Sequence, residues 1–431
     1  MRTGRRLACV AAVVALTAAA TGVAAPGAGA APGPPGAEQY YFDQWDVPAI
    51  WATGARGQGI VIAELDTGVN AALPEFGDKI LPGLDLGSAG GDGRTDRDTD
   101  DFGHGTAMAS IMVANPGTYS ITGLAPDARI LPIGIPLQGT SDASDDDRLP
   151  EGIRWAADHG AKIISMSLGG ERTPSKDPVP CPSDEQEAVY YAMSKGAVLV
   201  AASGNDGQKG SPVADPGVCL GVVSVGAVDS GGDVASFSSQ HPYLTMTAPG
   251  VAIASLSKVA GSGYSGDGTS QATALTSAAL ALAWSAHPEL DAKGLVTRLL
   301  ATLQPGKGQQ AGTHSNAYGY GKLDAARLVR NAVDVDAGNV VYAAAAPFIA
   351  RYQQSLAVKA APLGPKAAKP PTAAIAPGDP PGQLGTPFWL ACVVGVAGLL
   401  LALAALVLRR RLGRSDRAAA RRPVPAFGPA P

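Results

Sequence analysis

The chain has 431 residues, 33 Lys and Arg against 37 Asp and Glu, a formal net charge of -4, and 46 % apolar residues. That content of apolar side chains excludes disorder throughout, and the lack of a basic stripe interleaved with aromatics argues against nucleic acid as a partner. Ala, Gly and Pro are abundant and aromatics scarce, so the ends are poor candidates for globular structure and the fold must lie in the middle.

Residues 1–30 read as a secretory signal peptide. Arg2, Arg5 and Arg6 precede an apolar run over 7–20, and Ala28-Gly29-Ala30 offers a cleavage site of small residues. Export of the body is the expectation. A short arm over 32–51, with Tyr40, Tyr41, Phe42 and Trp45, is expected to wrap the body that follows. Residues 59–66 form an apolar run of strand length that ends at Asp66 and the turn-prone Thr67-Gly68. Further strand-like runs cover 129–135, 161–166, 197–202 and 222–228, with helical patterns over 147–159 and 183–195 between them. Strands alternating with helices predict an α/β fold, a mostly parallel sheet between helical layers. Helices are also predicted over 270–286 and 288–302, the first Ala-rich and able to be buried all round, with the core closing near Val335.

Beyond the body, which spans 31–342, residues 343–387 shift to Ala, Pro, Lys and Gly with almost no periodicity and read as an extended linker. Residues 388–408 carry no charge over 21 positions, enough for a helix to cross the ~30 Å hydrocarbon layer. A tail over 409–431 follows, with Arg409, Arg410, Arg411, Arg414, Arg417, Arg421 and Arg422 against Asp416, a cluster that stays cytoplasmic. The expected location is the cell membrane, crossed once, with the body outside. Of the four cysteines, Cys9 falls in the signal peptide and Cys392 in the membrane segment. Cys181 and Cys219 remain, and in an oxidising compartment they read as one disulfide, two buried thiols being the alternative.

Four segments bear on chemistry, each with a bland reading when taken alone. Asp66-Thr67-Gly68 would pass for any strand-ending turn, and no second Asp-Thr-Gly supports an aspartic-protease dyad. Gly103-His104-Gly105-Thr106 would pass for a loop histidine, Ser203-Gly204-Asn205-Asp206-Gly207 for a tight turn, and Gly268-Thr269-Ser270 for a helix N-cap. Together they place Asp, His and Ser in that chain order at strand ends or helix starts, which is the order of subtilisin rather than of chymotrypsin or the α/β-hydrolases. No Gly-x-Ser-x-Gly elbow surrounds Ser270, which disfavours a lipase or esterase.

On these motifs, with Leu65-Asp66-Thr67-Gly68-Val69, residues 45–335 resemble the subtilase family of serine proteases. The resemblance implies a subtilisin-like three-layer fold, a serine endopeptidase activity on polypeptide substrates, and a catalytic triad of Asp66, His104 and Ser270. It further implies Asn205 as the oxyanion-hole donor and Ser167, Leu168, Gly169 and Gly170 as the edge that binds substrate backbone. The signal peptide, the absence of a long propeptide (only 36 positions separate Ala30 from Asp66), the Pro-rich linker and the membrane segment with its Arg tail resemble the mycosins. That likeness implies work beside a type VII secretion membrane complex, as a protease or as a structural component with hydrolysis secondary. One departure stands out: Ala274 occupies the position where the family usually has proline, which is expected to alter local stability more than chemistry. No cofactor is expected. The acidic loop 92–101, with Asp92, Asp96, Asp98, Asp100 and Asp101, could hold calcium as many subtilase loops do, but its spacing fits no EF-hand and a solvated loop is the expected reading, as it is for Asp142 and Asp145 to Asp147. His159, His241, His287 and His314 are expected to be structural or surface residues.

Overall fold

The computed structural model describes residues 39–117, 121–137, 139–141, 147–172, 181–335 and 337–360. The chain divides into two compact units, Met1–Ala361 and Pro362–Pro431, and every described residue lies in the first. The expected signal peptide, membrane segment and Arg tail, with most of the linker, lie outside the described residues. No helix among the described residues is long and apolar enough to cross a membrane.

Along the chain run helices α1 (Tyr41–Gln44) and α2 (Val47–Ala52), strands β1 (Val61–Asp66) and β2 (Leu84–Asp85), α3 (His104–Val113), β3 (Arg129–Gly134), α4 (Leu149–Asp158), β4 (Ile163–Met166) and β5 (Gly170–Arg172). There follow α5 (Ser183–Ser194), β6 (Val198–Ala202), β7 (Val213–Asp215), β8 (Val222–Val228), β9 (Met246–Pro249), β10 (Ile253–Leu256), β11 (Gly263–Gly266), α6 (Thr269–Ala286), α7 (Ala292–Thr302), α8 (Ala325–Arg330) and α9 (Val340–Ala360). Seven strands pair in parallel in the order β2-β3-β1-β4-β6-β8-β9. The predicted α/β architecture and all five predicted strand runs are present. Antiparallel pairs β5 with β7 and β10 with β11 lie apart from this sheet.

Parallel strands covered on both faces are buried along their whole length, and β1, β4, β6 and β8 are near-continuous apolar runs for that reason. Successive residues of β1 serve opposite faces: Ile62 packs with α3 and α6, while Ala63 and Leu65 pack with α4 and α5. The α6 sequence is small and apolar on every side and is buried from Thr269 to Trp284. By contrast α4 buries Leu149, Ile153, Ala156 and Ala157 and leaves Glu151 and Asp158 outside. Strand order reverses about β1, whose neighbours β3 and β4 continue to opposite sides, so a crevice opens at its carboxyl end, where Asp66 sits.

The arm packs as expected from Gln39 onward. Tyr41, Phe42, Trp45, Val47 and Ile50 are buried in the core on the α3 and α6 side, and Gln39 donates to the Thr122 carbonyl at 2.8 Å. The reading of an extended linker from residue 343 is corrected, because α9 continues as helix to Ala360. Its Ala-rich composition favours helix, and Val341, Ala345, Phe348 and Tyr352 recur at helical spacing on one face. Ala345 is fully buried, Phe348 stacks on Tyr190 of α5 at 5.5 Å, and Tyr352 accepts from Arg154 at 3.3 Å.

Cys181 and Cys219 are joined in a disulfide with Cα atoms 4.9 Å apart, across 38 positions of sequence. Closing a loop of that length stabilises by about 4 kcal/mol in the chain-entropy picture. The pair packs on the α4 and α5 side of the sheet, whereas the helices that carry His104 and Ser270 pack on the other.

Candidate active site

Asp66 ends β1, fully buried, and its Oδ1 accepts both the Thr67 N–H at 2.8 Å and His104 Nδ1 at 2.7 Å. His104 opens α3, with its side chain 28 % exposed, so one edge of the ring faces Asp66 while the other remains accessible. The chain reaches this position through Gly68 (φ +91°) and Gly103 (φ +67°). A Cβ at Gly68 would meet the Thr95 carbonyl at 2.2 Å, and one at Gly103 would meet Lys258 at 2.5 Å and Asp96 Oδ2 at 2.8 Å. Positive φ and lack of room both demand glycine there.

Burial alone would push the imidazole pKa down. The Asp66 charge and its hydrogen bond, helped by Asp98 and Asp96, outweigh that and hold His104 above the ordinary imidazole value. The Asp66 contact also fixes the neutral ring with its proton on Nδ1, leaving Nε2 to accept.

The acidic loop ahead of His104 is bound into the site. Asp96 accepts from Thr67 Oγ1 at 2.8 Å, from Thr106 N–H at 2.9 Å and from Thr106 Oγ1 at 2.5 Å. It thereby ties the turn after Asp66 to the first turn of α3. Asp98 Oδ2 accepts the His104 N–H at 2.9 Å, and Asp100 Oδ1 accepts from Phe102 and Gly103. Carboxylates at these positions satisfy the orphan N–H groups of a helix start and favour its positive end. The expectation of a merely solvated loop is corrected for Asp96 and Asp98. The usable signal was two Asp residues eight and six positions ahead of His104, in front of a helix that begins at the histidine. Asp147 does the same for α4, accepting the Leu149 N–H at 3.0 Å.

Ser270 lies in the first turn of α6, 9 % exposed, where the helix's positive end favours developing negative charge. Its Oγ donates to the Ser167 carbonyl at 2.9 Å, and Ser167 Oγ donates back to the Ser270 carbonyl at 3.0 Å. Among the described residues no hydrogen bond joins Ser270 to His104. The paired exchange with Ser167 satisfies the Ser270 hydroxyl instead.

Asn205 follows β6, and its Oδ1 accepts both the N–H and the Oγ1 of Thr269 at 2.9 Å. A backbone N–H can only be accepted by oxygen, so the amide orientation is fixed and Nδ2 is left as the donor. Asn205 and Ser270 line one cavity of about 230 Å³ together with Ser167, Leu168, Gly169 and Ala214. Gly170, the fourth residue of the expected binding edge, instead enters β5 and pairs with Asp215. Of the remaining histidines, His159 stacks on Trp155 and buried His241 on Tyr243, while His287 and His314 meet the Val329 and Leu244 carbonyls. Burial holds His241 below its ordinary value.

Sequence reasoning attached no role to Glu64. It lies two residues before Asp66 on β1, 1 % exposed, with neither carboxyl oxygen hydrogen-bonded. Burial, then the nearby Asp66 and Asp96 charges, push its pKa well above the usual carboxylate range, and outweigh the opposing influence of the Ala109 N–H. The signal was a lone ionisable residue inside an otherwise apolar buried strand.

A parallel sheet carrying Asp and His at the crevice by β1, with Ser and Asn about a neighbouring cavity, is the architecture of a subtilisin-type serine protease. Comparison with known proteins agrees. The sequence profile of the subtilase family matches residues 57–321, and the chain belongs to that family. Mycosin-3 of Mycobacterium tuberculosis (strain ATCC 25618 / H37Rv) is 34 % identical over 346 residues, spanning 65 % of this chain and 69 % of the relative. The solved structure of the MycP3 protease from the type VII (ESX-3) secretion system is 29 % identical, superposes with a TM-score of 0.59, and covers 70 % of this chain and 90 % of the other. A chain in an intact ESX-5 inner membrane complex is 26 % identical, with a TM-score of 0.58, over 86 % of this chain and 90 % of the other. The protein is thus a subtilase-family serine protease related to the mycosins of type VII secretion.

Proposed function

We propose that the chain is a membrane-anchored, extracytoplasmic serine endopeptidase that works beside a type VII secretion complex. The observation that carries the chemistry is the 2.7 Å contact of buried Asp66 with His104, set beside a cavity that Ser270 and Asn205 share. In this reading a peptide enters along residues 167–169 with one side chain in the cavity. Among the described residues the one carboxylate lining that cavity, Asp206, is paired with Lys209 at 2.7 Å, which suits an uncharged substrate side chain.

Substrate binding turns the Ser270 hydroxyl from the Ser167 carbonyl toward His104. As Oγ attacks the scissile carbonyl carbon, its proton passes to His104 Nε2, and Asp66 stabilises the imidazolium. The oxyanion accepts from Asn205 Nδ2 and from the Ser270 N–H at the start of α6. Collapse breaks the C–N bond, His104 returns the proton to the departing amine, and water then hydrolyses the acyl-enzyme by the same route. The apolar segment 388–408, the secretory leader and the three relatives support the location.

A second reading, a structural component with hydrolysis secondary, is favoured by one observation: the Ser270 hydroxyl is occupied by Ser167. Labelling of the full chain with a fluorophosphonate separates the two. Labelling of wild type but not of Ser270→Ala or His104→Ala supports the protease, and no labelling of folded wild type supports the structural role.

A further inference from the structure

Asp66 uses one oxygen. Its Oδ1 takes both donors described above, while Oδ2 is buried with no hydrogen-bond partner. Glu64, two positions earlier on β1, sits in the same condition, with both carboxyl oxygens buried and unpartnered. Alternation along the strand puts Glu64 and Asp66 on one face, about 6.6 Å apart along the chain, and the longer Glu side chain can lean along the strand to close that gap.

Among the described residues, the elements packed against Glu64 supply no cation. Its own strand offers Asp66, the loop before α3 offers Asp96, and α3 offers only His104, which is already bound to Asp66. Its cross-strand neighbours are Pro132 of β3 and Ser165 of β4, and α6 contains no ionisable residue. Arg129 lies at the opposite end of β3, and the charges of α4 lie across the sheet. A buried carboxyl in such a place holds its proton, and a protonated carboxyl has one O–H to give.

Resting on the protease reading, we propose that Glu64 is a positioning residue of the active site that donates its carboxylic O–H to Asp66 Oδ2. The Asp66–His104 pair becomes a chain of three: Glu64, Asp66, His104. No proton leaves Glu64 during turnover. Its hydrogen bond withdraws charge from Asp66, which tempers the pull of Asp66 on His104 and sets the pH at which His104 becomes a free base.

Two measurements on the full chain test this. The rate of fluorophosphonate labelling against pH should rise along a limb set by His104. Glu64→Leu, which removes the donor, should move that limb to higher pH by about half a unit, a roughly three-fold loss of rate on the limb. Glu64→Gln, which keeps an N–H donor, should lie closer to wild type. A limb that coincides in wild type and Glu64→Leu overturns the proposal. Infrared spectroscopy gives a readout independent of catalysis and of the Leu variant's folding: a protonated-carboxyl stretch at neutral pH in wild type that is absent from Glu64→Gln. If wild type lacks that band, Glu64 is ionised and the proposal fails even where labelling succeeds. If the band is present but wild type does not label, the protease reading fails while the protonated Glu64 stands.

Discussion

On one face of the central sheet α3 and α6 are buried almost end to end, whereas on the other α4 and α5 keep Glu151, Asp158 and Glu187 in solvent. The two faces also differ in how they are held. The α3 and α6 face is threaded with buried hydroxyls: Ser110, Thr273 and Thr276 bond to helix carbonyls, and Ser277 donates to Ser165 at 2.9 Å. The α4 and α5 face is closed by apolar packing, the Cys181–Cys219 bridge and the stack of Phe348 on Tyr190. A face that must aim reactive groups uses directional bonds, while a face that only has to exclude water uses area and a crosslink.

That division is open to attack from both sides. Ser270→Ala should lower peptide hydrolysis by about 10⁴-fold or more without lowering the unfolding midpoint, and an appreciable residual rate would remove Ser270 from the chemistry. Asn205→Ala should lower kcat by about 10²- to 10³-fold with KM little changed, and a loss confined to KM would make Asn205 a binding residue instead. Replacing Cys181 and Cys219 together with Ser should cost about 2–4 kcal/mol in denaturant unfolding while leaving the labelling rate of folded protein intact. Loss of labelling with unchanged stability would reverse the roles of the two faces. Phe348→Ala should cost about 1–3 kcal/mol and again spare the chemistry.

The smallest effect concerns pH. Because His104 is held above its ordinary value, kcat/KM should rise along a limb that lies above about 6.5, as the ring loses its proton and becomes a base. Stability runs in the opposite sense. The contribution of the Asp66–His104 pair is complete below the unfolded-state pKa and is lost as pH rises through the higher folded value. A limb below 6.5 in a pH–rate profile would contradict the balance between burial and Asp66.

The strands and the places of Asp66 at the end of β1, His104 at the start of α3 and Ser270 at the start of α6 were legible because each carries a local signature: apolar runs of strand length, and glycines one or two positions from each of the three. What escaped reading depends on contacts distant in sequence. The Asp96 bond to Thr67 spans 29 positions, the Ser270 bond to Ser167 spans 103, and neither leaves a trace in composition. The last helix was lost for a different reason. Alanines outnumber the apolar anchors of α9, so the spacing of Val341, Ala345, Phe348 and Tyr352 was hidden in a segment that seemed featureless. Glu64 was in plain view as the one ionisable residue within the run from Gly59 to Leu65, yet its meaning required knowing which face of β1 it serves.

The seat of the aromatic arm has a bearing on the order in which the molecule can assemble. Trp51 donates to the Leu124 carbonyl at 3.0 Å, Gln44 to the Ser230 carbonyl at 2.7 Å, α2 packs on α8, and Asp46 lies 3.9 Å from Arg330. Partners separated by up to some 280 positions must all be present before the arm can dock. As the chain is made, this early part of the body is thus among the last to settle, with Val47 and Ile50 of α2 lacking part of their cover until α8 arrives. A chain cut short before Ala325 would keep Ser270 and its sheet but leave α2 without part of its apolar cover, a ready mark for quality-control proteases.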